Sequence, residues 1–313
     1  MPFTAKSGKF TASINTLTIG TGDKAITLGG ENVLPFYTFD APIENAPKVG
    51  IEITDGGMDA EPECIKAYYE GCASVVDMAK KAAEFEGVDF LSLRLEGGDP
   101  NGQNKSTEEL IAIVKEVSAA VDLPLVITGC KNVEKDAELL TKAAEALEGK
   151  NALILPAREE NYKTVGAAAG LAYKQVVGAE SSVDINLAKQ LNVLLTQLGV
   201  NPQSIAMNVG TASAGYGFEY VISTMDRVKA AALSQGDATL QMPIITPVAS
   251  EVWGVKESMA SEADMPEWGP VEERGIDMEV ETAAAVLVSG SNAVILRHPA
   301  SVATISKMIK ELV

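Results

Sequence analysis

The chain has 313 residues, enough for one α/β barrel with additions, because such barrels commonly fill about 200 to 250 residues as a single domain. It is strongly acidic, with 43 Asp and Glu residues against 25 Lys and Arg residues and a formal net charge of −18. No run of basic residues stands out, so the composition argues against nucleic acid and anionic membrane surfaces as partners.

The apolar segments and the cysteines predict a cytoplasmic protein with reduced thiols. Residues 1–20 contain no apolar stretch typical of a secretory signal, and no segment approaches the roughly 20 apolar residues that cross a bilayer. Cys64, Cys72 and Cys130 are too few and too unevenly spaced for a disulfide framework. No CxxC pair indicates a zinc site or an iron–sulfur cluster.

The first predicted element is a β-hairpin. Residues 11–30, TASINTLTIGTGDKAITLGG, contain two runs of alternating apolar and polar residues around the turn GTGDK, and this is a hairpin pattern. We expect the hairpin to pack on the main domain. The sequence therefore divides into an N-terminal hairpin extension at 1–45 and a main domain at 46–313.

From Lys48 onward, a short apolar run, a polar or glycine-rich loop and an amphipathic helix follow one another repeatedly. The eight predicted strands lie at 48–54, 88–96, 123–129, 151–157, 174–179, 204–210, 243–248 and 292–298. Helical segments separate them; Ser106 and Glu109 form a capping-box pattern in one, and another begins at Pro299. Most of the apolar runs lack alternation, as in sheets covered on both faces.

Eight successive β–α units predict a (β/α)₈ TIM barrel with the N-terminal hairpin as an addition. The competing architecture is an open, doubly wound parallel sheet. The number of strands, and the lack of a GxGxxG loop after the first of them, favour the barrel.

In a barrel of this kind, the working residues come from loops at the carboxyl ends of the strands. The single histidine, His298, stands directly before a predicted helix start at Pro299, which fits a packed or capping role. Lys131 is expected to be a solvated loop lysine. Cys130 is either a reactive thiol near a helix N-terminus or, as is commoner, a buried small residue.

Two loops stand out for length and composition. Residues 208–220, NVGTASAGYGFEY, are rich in small side chains that would let a ligand approach the backbone, or that would simply make a flexible helix entry. Residues 249–275 contain both tryptophans, Trp253 and Trp268, and are predicted to form a long loop. That loop would serve as a lid or docking element, or would pack on its own barrel.

Several long segments carry a resemblance to a known family. They are TLGGENVLPFYTFDAPIENAPKVGIEITD, LSLRLEGGDPNG, LPLVITGCKNVEKDAELL, NALILPAREENYKTVGAAA, SSVDINLAKQLNVLLTQLGV and PIITPVASEVWGVKES. With these segments the chain resembles, over nearly its whole length, the small subunit of the corrinoid iron–sulfur protein. That subunit is the delta subunit of the acetyl-CoA decarbonylase/synthase complex.

The resemblance implies a TIM-barrel subunit of a heterodimeric methyl carrier in the reductive acetyl-CoA pathway. In that family a corrinoid, a cobalamin, lies at the interface with a large subunit, which also carries the [4Fe-4S] cluster. A separate methyltransferase supplies the methyl group from methyltetrahydrofolate or a methyl-tetrahydropterin, and acetyl-CoA synthase/CO dehydrogenase receives it. The resemblance thus implies a non-catalytic subunit that binds neither cofactor tightly on its own.

Candidate corrinoid-contacting residues are inferred from their position at the predicted strand ends, since the resemblance fixes none of them. They are Asp55, Glu96, Asp99, Thr128, Arg158, Asn208, Thr211, Tyr216, Thr246 and Glu251. No residue is assigned as catalytic or as a metal ligand. In the segment EGGDPN at 96–101, we expect the glycines to shape the loop, Asp99 to be a turn residue and Glu96 to accept hydrogen bonds.

Two other functions stay open at this point. A free-standing barrel methyltransferase would hold a pterin with Asp and Asn side chains at strand ends, and Asp55, Asp99 and Asn208 could be read that way. A purely structural scaffold would hold its partner without touching the corrinoid.

Overall fold

The computed structural model of the protein describes residues 8–313, so residues 1–7 of the predicted extension lie outside the described residues. Strands β1 (Leu17–Ile19) and β2 (Ile26–Leu28) pair antiparallel around a short turn. The predicted hairpin is therefore confirmed.

The main domain contains eight parallel strands. They are β3 (Lys48–Thr54), β4 (Phe90–Arg94), β5 (Leu125–Thr128), β6 (Leu153–Ala157), β7 (Val176–Glu180), β8 (Ile205–Asn208), β9 (Ile245–Pro247) and β10 (Ala293–Leu296). Each strand pairs with its neighbour in sequence, and β10 pairs with both β9 and β3. The ring closes between β8 and β9, where the Met207 amide donates to the Pro243 carbonyl at 2.8 Å. The predicted eight-stranded barrel is confirmed.

Helices cover the outside of the barrel. They are α1 (Glu63–Lys66), α2 (Val75–Ala82), α3 (Thr107–Ala120), α4 (Val133–Ala146), α5 (Tyr162–Val165), α6 (Ile185–Leu198), α7 (Phe218–Ser234), α8 (Ala249–Val252), α9 (Lys256–Met259), α10 (Val271–Val288) and α11 (Pro299–Leu312). The predicted capping box is present, because the Ser106 hydroxyl accepts from the Glu109 amide and the Glu109 carboxylate accepts from the Ser106 amide. Within residues 8–313, no helix combines the length and the apolar character needed to span a bilayer.

The hairpin closes the amino-terminal end of the barrel. Its four apolar side chains pack with the inward-facing residues at the beginnings of the barrel strands; together they are Leu17, Ile19, Ile26, Leu28, Phe90, Val126, Leu153, Val176, Ala206, Ile245, Ala293 and Ile295. Asn151 fixes the hairpin, since its carbonyl accepts from the Gly20 amide and its side-chain amide donates to the Thr18 carbonyl, both at 2.8 Å. The carboxyl end is therefore the end of the barrel at which an interior site is open.

The segment predicted as a long loop at 249–275 is largely helical. It contains α8, α9 and a 3₁₀ turn at Pro266–Trp268, and α10 begins at Val271, so the predicted loop boundary at Gly275 is wrong. Acidic residues in the first turn of α10, Glu272 and Glu273, favour this earlier helix start. Trp253 is buried and packs on α10, where a Cβ at Gly275 would lie 2.2 Å from its ring.

Packing at the closed amino-terminal end of the barrel leads to a prediction about stability. A Cβ added at Gly50 would lie 2.2 Å from the buried Phe90 ring, whereas one at exposed Gly102 would meet only ordinary contacts at 3.6 Å. We expect Gly50→Ala to lower the free energy of unfolding by about 1–3 kcal/mol through overpacking, and Gly102→Ala to leave it nearly unchanged. Urea unfolding of both variants measures the difference, and equal midpoints would contradict this packing.

Candidate functional site

A cavity of about 250 Å³ opens at the carboxyl end of the barrel. Five of the ten predicted site residues line it: Thr128, Arg158, Asn208, Thr211 and Glu251. Arg94, Lys131 and Glu180 also line it, with apolar walls from Leu155, Pro156, Val183 and Pro247. Half of the predicted residues therefore line this cavity, whereas the charged residues Arg94, Lys131 and Glu180 were not among them.

The floor of the cavity contains a buried ion pair. Successive strand side chains alternate between the two faces, so Arg94 shares the inward face of β4 with Phe90. Its Nε and Nη2 atoms both donate to Glu52 Oε2 at 3.1 Å. Glu52 Oε1 has no hydrogen-bond partner within residues 8–313. A guanidinium therefore faces the cavity with its charge balanced from behind.

A second ion pair lies on the wall formed by β6, β7 and β8. Arg158 Nε donates to Glu180 Oε1 at 2.6 Å, and the Asn208 side-chain amide donates to Glu180 Oε2 at 2.9 Å. Asn208 Oδ1 in turn accepts from the Gly210 amide at 3.0 Å. These contacts fix the orientation of a carboxylate, a guanidinium and a carboxamide beside one another.

A third ion pair crosses the mouth of the cavity. Lys131 Nζ lies 3.0 Å from Glu251 Oε1. Lys131 follows β5 and Glu251 follows β9, and three strands separate β5 from β9 in either direction around the ring. Lys131 is exposed, as predicted for a solvated lysine, but its ammonium is paired. The pair therefore joins opposite sides of the barrel mouth.

The wall of the cavity between β7 and β8 has strained backbone. Ser182 and Val183 have φ of 46° and 63°, which is a rare conformation for any residue with a Cβ and an outlier for a β-branched one. The Val183 amide donates to the Val209 carbonyl at 2.7 Å, and Gly210, with φ of 95°, lies against it. Strain of this kind concentrates at functional sites.

Asp55, Glu96 and Asp99 lie beside the cavity rather than in its lining. Asp55 is buried, and its carboxylate accepts from the Gly97 amide at 2.8 Å and from Lys105 Nζ at 2.7 Å. Asp99 Oδ1 accepts from the Asn101 amide at 2.9 Å, which confirms its turn role. Glu96 begins a 3₁₀ turn through Gly98, so both glycines shape the loop as predicted.

Tyr216 and Thr246 differ from the remaining candidates. Tyr216 is 49% exposed on the rim, where its hydroxyl donates to Glu257 Oε2 at 2.6 Å. The prediction for Thr246 is wrong. Thr246 lies between the inward-facing Ile245 and Pro247, so its side chain points away from the barrel interior. Its buried hydroxyl is 2.8 Å from that of Ser291. Thr246 therefore does not reach the barrel mouth.

Cys130 and His298 both have structural surroundings. Cys130 is buried, and burial raises the pKa of its thiol to about 12, which favours the buried small residue over the reactive thiol. His298 is buried and its Nδ1 accepts from the Ala300 amide at 3.1 Å, so the predicted capping role is confirmed. Burial also lowers the pKa of His298, whose Nε2 lies 3.3 Å from Glu272.

Glu279 is a buried acid that the sequence reasoning missed. Its carboxylate accepts from the Arg297 amide at 2.6 Å and from the His298 amide at 3.1 Å, and so holds the segment that follows β10. Burial raises the pKa of Glu279 to about 7. The signal was available, because Glu279 stands at helical spacing from the buried Ala283 and Val286 on α10.

Comparison with known families places the chain among subunits of one complex. The family model for the CO dehydrogenase/acetyl-CoA synthase delta subunit matches residues 16–307. The acetyl-CoA decarbonylase/synthase complex subunit delta 2 of Methanosarcina acetivorans is 34% identical over 297 residues, which cover 94% of this chain and 67% of that protein. The subunit delta of Archaeoglobus fulgidus is 32% identical over 301 residues, with 94% and 65% covered. The chain thus spans about two thirds of the length of these relatives.

Solved structures that resemble the barrel include dihydropteroate synthases. The enzyme of Xanthomonas albilineans with 4-aminobenzoic acid has a TM-score of 0.59 at 12% identity and covers 95% of this chain and 98% of its own. The Yersinia pestis enzyme with a pterine–sulfa conjugate has a TM-score of 0.55 at 13% identity, with 85% and 93% covered. At these identities the likeness shows the TIM-barrel fold alone.

The buried Glu279 predicts a pH dependence of stability. Its folded pKa of about 7 lies above the ordinary glutamate pKa of 4.5, so between these pH values the native state retains a proton that the unfolded chain has released. The contribution of Glu279 to the free energy of unfolding therefore falls as pH rises through this window. Since Gln cannot ionise, we expect the wild type to lose stability relative to Glu279→Gln as the pH rises from 4.5 to 7. Above pH 7 the difference in the free energy of unfolding should stay constant.

Urea unfolding at pH 5, 6, 7 and 8 measures this shift. The matched control is Glu273→Gln, an exposed position on the same helix, which should follow the wild-type pH dependence. If the free energy of unfolding of Glu279→Gln changed with pH in parallel with those of the wild type and Glu273→Gln, the buried carboxyl would not titrate as stated.

Proposed function

Because the chain belongs to the CO dehydrogenase/acetyl-CoA synthase delta subunit family, we propose that it is the barrel subunit of a heterodimeric corrinoid methyl carrier. The match of the family model to residues 16–307 is the observation that carries this proposal. The partner is a large subunit that holds a [4Fe-4S] cluster and the main part of the corrinoid. This chain contributes the carboxyl end of its barrel as the opposing wall.

The residues at the barrel mouth are suited to contact the peripheral side chains of a corrinoid. A corrin macrocycle is too large for a cavity of about 250 Å³, so residues of the cavity lining would contact only the amide side chains of a corrinoid. Thr211, on the cavity wall, has a buried hydroxyl without a hydrogen-bond partner in the described part of the chain. Thr128, Arg158, Asn208, Thr211 and Glu251 would hold these side chains.

The chain's own side chains position the cofactor and leave its metal free. When bound, the corrinoid supplies a cobalt that carries a methyl group. The single histidine is buried against Glu272 and the helix N-terminus, so it does not reach the mouth to ligate that metal. The apolar residues of the cavity lining, Leu155, Pro156, Val183 and Pro247, would limit the access of water to the bound group.

Exposed aromatic residues at the rim support a protein partner there. Tyr216 precedes α7, and Tyr220 in its first turn is 67% exposed. Met259 and Trp268, in the segment after β9, are also partly exposed. Aromatic and methionine side chains are enriched in protein interfaces. The proposed upstream partner is a methyltransferase using methyltetrahydrofolate or a methyl-tetrahydropterin, and the proposed downstream partner is acetyl-CoA synthase/CO dehydrogenase.

Co-purification tests the proposed function. We expect the native protein to purify with one larger chain in equal amount, together with iron, sulfide and cobalt. The alternative is a free-standing pterin-dependent methyltransferase. If the chain alone transferred a methyl group from methyltetrahydrofolate to free cobalamin, the subunit proposal would be wrong.

Substitutions at the rim test the position of the partner. We expect Tyr216→Ala and Tyr220→Ala each to weaken binding of the large subunit about tenfold, as for aromatic residues at an interface centre. The matched control is Phe39→Ala, since Phe39 is 76% exposed but lies in the segment leading to the amino-terminal end of β3. Calorimetric titration measures the affinities. A larger loss in Phe39→Ala would place the interface at the opposite end.

A further inference from the structure

A group of exposed apolar side chains lies at the closed amino-terminal end of the molecule, away from the barrel mouth. Tyr37 and Phe39 are 43% and 76% exposed, and their ring centroids are 4.9 Å apart. Both belong to the connection from β2 to β3, residues 29–47. Val288, which ends α10 just before the turn to β10, is also exposed. Apolar side chains clustered on a surface mark interaction sites.

The connection at 29–47 contains no helix or strand but is held by hydrogen bonds. The Tyr37 amide donates to the Leu34 carbonyl at 3.0 Å, and the Asp40 amide donates to the Tyr37 carbonyl at 2.9 Å. The Asn45 side-chain amide donates to the Gly29 carbonyl at 2.8 Å and so joins the two ends. Connections of this length are usually functional. The aromatic pair is therefore presented on a preformed surface.

A small cleft separates this connection from the turn between α10 and β10. Its apolar walls are Pro35, Phe36, Ile43, Pro47 and Leu287. Glu31 also lines it, with a side chain that is 10% exposed. Glu31 Oε1 accepts from Lys229 Nζ at 2.7 Å and from the Asn292 side chain at 2.8 Å, whereas Oε2 has no hydrogen-bond partner within residues 8–313. Because a buried acceptor without a donor costs free energy, the cleft favours a ligand that brings an N–H group.

The charge of this surface indicates the kind of partner. Residues 25–47 contain Glu31, Asp40 and Glu44 but no Lys or Arg. Lys229 neutralises Glu31, whereas neither Asp40 nor Glu44 belongs to an ion pair among residues 8–313. Aromatic faces and carboxylates both attract ammonium and guanidinium groups. The surface is therefore complementary to an apolar segment that carries a positive charge.

A second copy of this chain suits the surface less well than a different protein does. A two-fold contact would place the surface against itself, so that Asp40 and Glu44 would meet the same carboxylates of the other copy. Of the two lysines at its edges, Lys48 is accompanied by Asp89, and Lys9 alone does not balance two carboxylates. Like charges that face each other oppose association.

We propose that this surface is a second protein-binding site, which receives a segment of a different protein with a lysine or arginine beside aliphatic or proline side chains. The cation lies over the Tyr37 and Phe39 rings, and Asp40 and Glu44 balance its charge. The apolar side chains cover the cleft, and an N–H group of the segment donates to Glu31. Because the site lies opposite the barrel mouth, the chain holds two partners at once. This inference goes beyond the proposed function and does not depend on a corrinoid.

Selection from a random peptide library displayed on phage tests the chemistry of the partner. The full chain is the target, and a counter-selection on the double variant Tyr37→Ala and Phe39→Ala removes peptides that bind elsewhere. We expect the remaining peptides to contain Lys or Arg beside Pro, Leu, Ile or Val. If no peptide required the aromatic pair for binding, or if those that did lacked a cation, the inference would be overturned.

Titration with a selected peptide, synthesised free of the phage, locates the binding. We expect the double variant Tyr37→Ala and Phe39→Ala to weaken the affinity about tenfold. Glu44→Lys should also weaken it, and this loss should shrink as salt is added. The matched control is Tyr216→Ala, an exposed aromatic residue at the barrel mouth, which should bind the peptide like the wild type. Equal affinities in all variants would contradict the proposed site.

Sedimentation of the full chain tests the other occupant. We expect the wild type and Phe39→Ala to sediment alike. A dimer of the wild type that Phe39→Ala dissociates would assign the surface to a second copy and overturn the proposal of a different protein. The heterodimer of the proposed function is judged separately, by co-purification and by binding of the large subunit, which Phe39→Ala should leave unchanged.

Discussion

The packing of the β1–β2 hairpin into the barrel determines which end of the molecule can carry a site. Leu17, Ile19, Ile26 and Leu28 fill the interior at the amino-terminal end together with the first inward-facing residues of the strands. Because that end is apolar and closed, the polar inward-facing residues occur in the carboxyl-terminal parts of the strands, where the cavity opens. The direction of the parallel strands then brings distant parts of the sequence to one mouth.

The charges around that mouth are constrained by burial. Moving an ion pair out of water costs free energy that its mutual attraction offsets only in part, so the buried Arg94 and the half-buried Arg158 are each accompanied by a carboxylate. Glu52 neutralises Arg94 at the floor, and Glu180 neutralises Arg158 on the wall. The strongly acidic chain thus presents a locally balanced surface, suited to an uncharged polar partner group.

Much of the fold could be predicted from the sequence, because the hairpin turn, the apolar runs and the capping box at Ser106 are local patterns. The candidate site was harder to predict. Thr246 was misplaced because a one-residue change of phase along a short strand reverses the direction of a side chain. Arg94 was missed because its partner Glu52 lies on the neighbouring strand, 42 residues away in the sequence. Glu279 was missed because its contacts to the segment after β10 are tertiary.

The central claim is that the carboxyl end of the barrel faces the cobalt of a shared corrinoid. Pulsed EPR on the heterodimer with Co(II) measures distances from the cobalt to nitroxide labels, after Cys64 and Cys72 are replaced by serine. One label is placed at Met259, after β9, and another at Lys310, near the C-terminal end of α11. The account predicts a clearly shorter distance from Met259. A shorter distance from Lys310 would contradict it.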